Sequence, residues 1–430
     1  MCRSRWVFVA GLSALTLILA CSASSDSVVG IGADGKGGSS DSNDIGGHAA
    51  QGGSSGDDSG TQVIRPDQES QDDPYCATDL DEDRDGDGWT VAQGDCNDCN
   101  PSINPGAFDG PDGDVDEHLD RNCDGAIDSD VLECDWGLDI ADNDALKAAF
   151  AIDLCRATTL EAEGHGKTWG VISASYVKAD GSPGMAAISH GLLRDFGVNK
   201  PRKGGGMLAL SSGTARAPGQ PEHRSPSGYD TLTISDPPPG FPKDSPSCSV
   251  EFEDETCYNP AALEIEVRVP TNALSFSFDF NFFTFEFPQW ICTQYNDFFV
   301  ALLWPAPPDV VDNNISFDSV GNLISVNAGF LQVCDPQTAG GKAFSCVLGS
   351  ESLQGTGFGK AAGLGGIGSS NHAATGWLRT TTNVEAGSII KLRFAIWDSG
   401  DAIWDSTVLI DNFAWHTETV ASTGTEPEIQ

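Results

Sequence analysis

The sequence predicts a mainly β protein: a β-sandwich or jelly-roll-like domain, preceded by a disulfide-bonded, loop-rich calcium-binding module and a disordered tether. Three observations predict this order. Residues 22–75 are rich in Gly, Ser and Asp, and residues 71–140 hold twenty-two Asp and Glu against two Arg. From residue 155 onward, short runs of alternating apolar and polar residues are separated by Gly- and Pro-rich loops, a pattern typical of β-strands.

Residues 1–21 have the pattern of a targeting segment. Arg3 and Arg5 precede an apolar run that is too short to span a bilayer. The run ends in Ile-Leu-Ala-Cys, which resembles a bacterial lipobox and implies lipidation of Cys21; an ordinary signal peptide is the alternative. Because Ser22 follows, the resemblance implies an outer-membrane lipoprotein exposed at the cell surface, held to the membrane by the lipid alone.

The tether, residues 22–75, contains few large apolar side chains. Such a composition cannot bury enough surface to fold, so the sequence predicts a flexible spacer.

The module, residues 76–133, contains two ladders in which oxygen-bearing residues occur at alternate positions before a glycine. The first ladder covers 83–89 and is followed by Asp95 and Asp98, which are counted with it below. The second ladder covers 120–128. This spacing suits a loop that wraps oxygen atoms around a hard cation. The predicted ligands, with Trp89 and Ala126 acting through the backbone, are Asp83, Asp85, Asp87, Trp89, Asp95, Asp98, Asp120, Asn122, Asp124, Ala126 and Asp128. An EF-hand would need Glu at the twelfth position from Asp83, where Gly94 stands. A solvated acidic linker is the plainer alternative.

Two stretches of the module, DGDGWTVAQGDCNDCNPSINPGA (85–107) and DRNCDGAID (120–128), resemble known metal-binding repeats. They are similar to the calcium-binding thrombospondin type 3 repeat and, more closely, to the motif named after the bacterial surface protein MopE. The latter label mentions copper. Oxygen ligands favour Ca²⁺, because copper prefers His, Met or thiolate, so we expect several Ca²⁺ ions and regard copper as the weaker alternative.

The domain predicted for residues 134–416 begins with a helix over 140–155, capped by Asp142 or Asn143. Residues 417–430 are expected to be a disordered tail. The clearest predicted strands cover 263–269, 276–282, 298–303, 323–330, 389–397 and 407–415. A shift in the phenylalanine alternation after Phe282 suggests a β-bulge there.

This domain resembles the choice-of-anchor L family of secreted bacterial surface proteins. The resemblance rests on LALSSGT (208–214), residues 276–287 with TQYNDFF (293–299), TGWL (375–378), FAIWDSGD (394–401) and LIDNF (409–413). It implies a β-rich fold and attachment to the cell, but no particular activity.

The cysteines of an exported chain favour disulfide bonds. Spacing suggests the pairs Cys134–Cys155, Cys248–Cys257 and Cys334–Cys346. Cys76, Cys96, Cys99 and Cys123 would pair among themselves in one of three ways, which leaves Cys292 as a free thiol. A structural zinc site at Cys96 and Cys99 is the alternative.

A second set of polar residues in the β domain could form another calcium site at one edge of the sandwich. Its members are Glu286, Asn296, Asp297, Asp398, Asp401 and Asp405. Turn-forming acids exposed to solvent are the plainer interpretation. A glycan-directed hydrolase is the sharper one, with Glu286, set among phenylalanines, as the candidate acid.

The sequence therefore predicts a calcium-stabilised cell-surface lipoprotein with a binding, adhesive or envelope-structural role and no catalysis. The expected partner is a surface glycan, a matrix component or a protein. A net charge of −40 argues against nucleic acid as a partner, because the chain would repel phosphate.

Overall fold

The structure is a computed structural model that describes residues 79–110, 119–127, 130, 133–248, 253–318, 320–327, 330–360 and 370–428. The predicted signal segment, the lipidation site Cys21 and the tether over 22–75 lie outside the described residues, as do Cys76 and Asp128. The described residues are mainly β. One α-helix, α1, spans Ala145–Phe150.

Fifteen strands are present in the described part of the chain. They are β1 (Gly170–Val177), β2 (His190–Leu193), β3 (Met207–Ser211), β4 (Ile234–Ser235), β5 (Cys257–Arg268), β6 (Ser275–Thr284), β7 (Phe298–Trp304), β8 (Ile324–Ser325), β9 (Gln337–Ala339), β10 (Lys342–Phe344), β11 (Ala373–Ala374), β12 (Leu378–Asn383), β13 (Ile389–Ser399), β14 (Ser406–His416) and β15 (Gly424–Pro427).

Two antiparallel sheets form the layers of the domain. A six-stranded sheet follows the order β1-β5-β13-β7-β8, with β4 paired to β5. A seven-stranded sheet follows β15-β12-β6-β14-β3-β2, with β11 paired to β6, and β9 and β10 form a separate hairpin. Sequence neighbours such as β5 and β6 therefore belong to different layers, as expected of a sandwich.

The core between the layers is built around the phenylalanines of β6. Phe276, Phe278, Phe280 and Phe282 are fully buried, together with apolar residues of β5 and β13. Across the interface, the ring centroids of Phe278 and Phe394 are 4.9 Å apart in an edge-to-face arrangement. On β5, Glu264 and Glu266 alternate with the buried apolar residues and are more exposed, which confirms the predicted half-buried strand.

Five of the six clearest strand predictions are confirmed by β5, β6, β7, β13 and β14. For the sixth, over 323–330, the strand among the described residues is shorter than predicted: β8 covers Ile324 and Ser325, which pair with β7. The helix predicted for 140–155 is also shorter than expected and has a different cap. Asp144, not Asp142 or Asn143, accepts a hydrogen bond from the backbone N–H of Leu146 at 3.1 Å.

The bulge predicted after Phe282 is wrong. The pairing of β6 with β14 runs in register through Phe282 and Phe283, which face opposite sides of the sheet and join different apolar clusters. The irregularity lies in β14 between Asp411 and Ala414, where Asn412 has a φ of 54°.

The disordered tail predicted for 417–430 is wrong for its central part. Residues 424–427 form β15 at the edge of the larger sheet, paired with β12. The Thr425 hydroxyl is hydrogen-bonded to that of Thr380 at 2.8 Å, and Glu428 forms ion pairs with Arg202 and Arg379. These polar contacts hold a segment that lacks an apolar pattern of its own.

The disulfides confirm two predicted pairs and correct the third. Cys134 is bonded to Cys155 and Cys334 to Cys346. Cys248 is bonded to Cys292, which was predicted to be free, whereas Cys257 is a buried free thiol. Cys257 begins β5 and packs in an apolar cluster with Phe241 and Trp397, so the nearest cysteine in sequence is not its partner.

The acidic module packs against the end of β5 and the start of β6. Asn272 accepts a hydrogen bond from the Phe108 N–H at 2.8 Å and donates one to the Phe108 carbonyl at 2.9 Å. The Thr271 hydroxyl donates to Asn104 at 2.7 Å. Because the contacts join both backbone and side chains, the sandwich holds the module in a defined orientation.

No helix in the described part of the chain is long and apolar enough to cross a membrane.

Candidate metal centre

The first aspartate ladder folds into a series of tight turns closed by its own carboxylates. The two oxygens of Asp83 accept the backbone N–H groups of Gly86 at 2.8 Å and Gly88 at 3.0 Å. Asp87 Oδ1 accepts the N–H of Trp89 at 2.8 Å. Gly86 and Gly88 have φ values of 81° and 91°, a conformation that favours glycine. The Asp-Gly steps therefore determine the local path of the loop.

Each of four aspartates uses one carboxylate oxygen to hold the loop and leaves the other inside it. Asp85, Asp87, Asp95 and Asp98 each accept a backbone N–H through Oδ1, at distances of 2.8 to 3.2 Å. The Oδ2 atom of each is buried and has no hydrogen-bond partner. Buried polar atoms normally have a partner, so four such oxygens in one loop suggest that a ligand completes them.

These oxygens are close enough to share a cation. Ligand atoms of Asp83, Asp85 and Asp87 lie within 4.8 Å of one another, and so do those of Asp85, Asp95 and Asp98. Asp85 belongs to both groups. The sequence placed all five residues in the site, and the structure brings them together.

The electrostatics of the loop also favour the binding of a cation. Burial, reinforced by the neighbouring carboxylates, raises the pKa of Asp87 to about 7 and that of Asp95 to about 6. Burial and the charges of Asp98 and Asp83 raise the pKa of Asp85 as well. A divalent cation would offset this repulsion and keep the carboxylates ionised.

Asn97 is a further candidate metal ligand, through its side-chain oxygen, that the sequence reasoning missed. Its Oδ1 atom is buried and has no hydrogen-bond partner, like the four aspartate oxygens nearby. Its position between Asp95 and Asp98 continues the alternation of the ladder and was the available signal. Trp89 donates its N–H to Asp87, and its indole is buried beneath the loop.

The second ladder repeats the turn geometry in a more exposed setting. Asp120 accepts the N–H groups of Asp124 at 3.1 Å and Gly125 at 2.8 Å, and Asp124 accepts that of Ala126 at 2.8 Å. Asn122 is buried, whereas Asp124 and Ala126 are exposed. Within the described residues, clusters of three carboxylates occur only in the first ladder. The predicted final ligand, Asp128, lies outside that part of the chain.

A disulfide joins the two ladders. Cys96 is bonded to Cys123 across 27 residues, and Cys99 is also disulfide-bonded. The alternative zinc site is therefore wrong for Cys96 and Cys99, because zinc binds thiolates and these sulfurs are oxidised.

The second predicted site gathers four of its five acids inside the sandwich. Glu286, Asp297, Asp398 and Asp405 are at most 1% exposed. Burial, followed by the charge of Asp297, raises the pKa of Glu286 well above its usual range. Burial likewise raises the pKa of Asp297 to about 7. The interpretation of these four acids as solvent-facing turn residues is wrong.

The other two residues differ in burial: Asn296 is 1% exposed, whereas Asp401 is half-buried. The Asn296 side-chain oxygen already accepts the N–H of Asn327 at 3.1 Å. Asp401 is half-buried in the loop after β13 and accepts the N–H of Ile403 at 2.9 Å. Two buried serines that the sequence reasoning missed, Ser399 and Ser406, accompany the acids. The repeated Asp-Ser pairs at 398–399 and 405–406 were the available signal.

Half-buried aromatic side chains lie next to the same end of the sandwich. The ring centroids of Trp290 and Tyr295 are 4.9 Å apart, and those of Trp290 and Trp404 are 5.6 Å apart. Trp290 donates its backbone N–H to the Glu286 carbonyl, and Trp404 immediately precedes Asp405. These three residues, called the aromatic patch below, leave part of their rings open to solvent.

No known family model matches the chain, and no curated protein sequence matches it closely enough to count as a relative.

Proposed function

We propose that the chain is a calcium-stabilised cell-surface lipoprotein with a binding, adhesive or envelope-structural role, and that it does not catalyse a reaction. One observation carries the proposal. Four aspartates of the first ladder aim buried, unpartnered oxygens into one loop. Such an arrangement costs free energy as it stands and becomes favourable when a cation is bound.

The donor set supports Ca²⁺ over other metals. The ladder offers carboxylate and amide oxygens, and the cysteines beside it are disulfide-bonded. Ca²⁺ accepts six to eight such oxygens in flexible geometry, whereas Cu²⁺ prefers nitrogen or sulfur. The lipid at Cys21 and the tether over 22–75 would place the site outside the membrane.

The aromatic patch supports a binding role. Tyr and Trp are enriched where proteins contact partners, because they supply rigid, partly polar contact area. Trp290, Tyr295 and Trp404 form such an area next to an acidic loop, and a surface glycan or a protein segment would fit its chemistry.

The burial of the sandwich carboxylates supports a structural use over a catalytic one. A glycosidase acid must contact its substrate, and the Glu286 side chain is 1% exposed. Hydrolysis of polysaccharides by the purified chain, lost in the Glu286→Gln variant, would overturn this part of the proposal.

Isothermal titration calorimetry with Ca²⁺, Mg²⁺ and Cu²⁺ tests the metal. We expect heat from Ca²⁺, and a loss of affinity of about tenfold or more in Asp85→Asn, because Asp85 belongs to both carboxylate groups. Asp81→Asn makes the same change of charge at an exposed position next to the loop and should leave the affinity unchanged. Heat from Cu²⁺ alone, or none from Ca²⁺, would contradict the proposal.

A glycan and matrix binding screen, with and without calcium, tests the binding role. We expect retention on at least one surface to depend on calcium and to fall in Trp404→Ala. Trp136→Ala removes an indole that is 62% exposed elsewhere and serves as the control. Equal binding by both variants would remove the aromatic patch from the proposal.

A further inference from the structure

Four buried carboxylates lie near one another at one end of the sandwich, since the charge of Asp297 acts on each of the other three. Glu286 follows β6 and Asp405 precedes β14, both in the seven-stranded sheet. Asp297 precedes β7 and Asp398 lies in β13, both in the six-stranded sheet. Each layer thus contributes two acids to one end of the interior, from segments up to 119 residues apart, which is 405 minus 286.

These acids have no compensating partner among the described residues. Both oxygens of Asp297, Asp398 and Asp405, and Oε2 of Glu286, are buried without a hydrogen bond. None of the ion pairs in the described part of the chain includes any of the four. Ionised carboxylates cannot remain in such a place uncompensated, because desolvation costs several kcal/mol for each ion. Either protons or a cation must neutralise them.

One hydroxyl group gives an independent indication of a ligand. Ser406 is fully buried, and its Oγ atom has no hydrogen-bond partner. Ser406 is close enough to Asp297 to influence its pKa. Its backbone is already satisfied by Ser212, which accepts its N–H at 2.9 Å and donates to its carbonyl at 3.0 Å. A hydroxyl free to turn toward the acids can supply a further oxygen ligand.

The backbone at Gly213 packs directly against Asp405. An added Cβ there would lie 1.9 Å from Asp405 Oδ2, so only glycine allows this close approach. The Ser189 hydroxyl donates to the Gly213 carbonyl at 3.0 Å, which holds this strand end in position.

We propose that Glu286, Asp297, Asp398 and Asp405, with the hydroxyl of Ser406, form an interior Ca²⁺ site that ties the two sheets together. This site is separate from the aspartate ladders and does not depend on them. Its donors are all oxygen, which favours a hard cation. Ca²⁺ suits it better than Mg²⁺, because Mg²⁺ keeps several of its waters and this interior is closed. No three of the four carboxylates have oxygens mutually within 4.8 Å in the described structure, so binding requires these side chains to move toward the ion.

The test uses the full chain with the ladder disabled by Asp85→Asn and Asp95→Asn. Calorimetry should still detect at least one Ca²⁺ ion in this background. Calcium at about a hundred times its Kd should raise the Tm by about 5 °C relative to a calcium-free sample in EDTA. Adding Asp398→Asn should abolish both the residual heat and the rise in Tm. Glu426→Gln, the same loss of charge at an exposed position of β15, should preserve both.

The sign of the change in EDTA guards against a variant that merely fails to fold. Without calcium, Asp398→Asn removes a buried charge and should raise the Tm; with calcium it should lower the Tm relative to the parent. If the acids are neutralised by protons alone, calcium changes neither value, and the proposal is wrong. Loss of all binding on disabling the ladder would also overturn it while leaving the ladder proposal intact. Binding that survives in full would support the interior site and count against the ladder.

Discussion

The buried acid Asp411, which lies beside the half-buried Asp153, should make stability depend on pH near neutrality. Asp411 lies in β14 and is fully buried, and Asp153 follows α1. Burial, reinforced by the charge of Asp153, raises the pKa of Asp411 to about 8. The N–H groups of Arg202, Lys203 and Asn412 lower the pKa of Asp411 but do not cancel the effect. The positive charge of Lys203 acts on Asp153 and lowers its pKa.

The sign follows from proton binding in the two states. The pKa of Asp411 rises from 3.8 in the unfolded chain to about 8 in the fold, so the folded state binds more protons between these values. The contribution of this group is fully present below pH 3.8 and is lost as the pH rises through about 8. At about 1.4 kcal/mol per pH unit, the loss between pH 5 and pH 7 is about 3 kcal/mol.

Asp411→Asn isolates this effect, because an amide resembles the protonated acid and does not titrate. We expect urea unfolding to show the variant gaining about 3 kcal/mol relative to wild type as the pH is raised from 5 to 7. Asp195→Asn, which removes the charge of a side chain that is 45% exposed, is the control. A difference between wild type and Asp411→Asn that is the same at both pH values would refute the reasoning.

Two further outcomes are expected. Iodoacetamide should fail to label Cys257 in the folded protein, because burial raises the pKa of its thiol, and should label it after unfolding. Non-reducing mass mapping should recover the Cys248–Cys292 peptide. Label on Cys292 would contradict the assigned pairing. Phe278→Ala should lower the free energy of urea unfolding by about 3–5 kcal/mol, because the side chain is fully buried between the sheets. The control Leu232→Ala, at a position that is 84% exposed, should change it by less than about 0.5 kcal/mol. A small effect at Phe278 would mean that the phenylalanines of β6 do not form the central core.

The features predicted correctly from the sequence are those determined by local chemistry. The Asp-Gly spacing of the first ladder specifies its turns, since each carboxylate binds an N–H group two to five residues away. The alternation in β5 and β6 specifies which face is buried, because side chains of a strand point to opposite sides in turn. The disulfide Cys334–Cys346 was also predicted correctly, because its two cysteines are close in sequence.

Features that depend on distant partners were predicted less well. Cys257 is nearest to Cys248 in sequence, but the fold gives Cys248 to Cys292 and places Cys257 in an apolar cluster. The segment 424–427 has no strand pattern, yet β12 supplies the backbone partners that order it. Local spacing carries no information about such pairings.

The sandwich acids show most clearly which features follow from the sequence and which depend on the tertiary structure. The sequence alone determined that Glu286, Asp297, Asp398 and Asp405 lie next to strands, and it suggested that they converge. Only the tertiary structure decided that they are buried rather than exposed in turns, and that Asp401 is half-buried. The physical reason is that the burial of a charge depends on which strands pack over it, and those strands come from two different sheets.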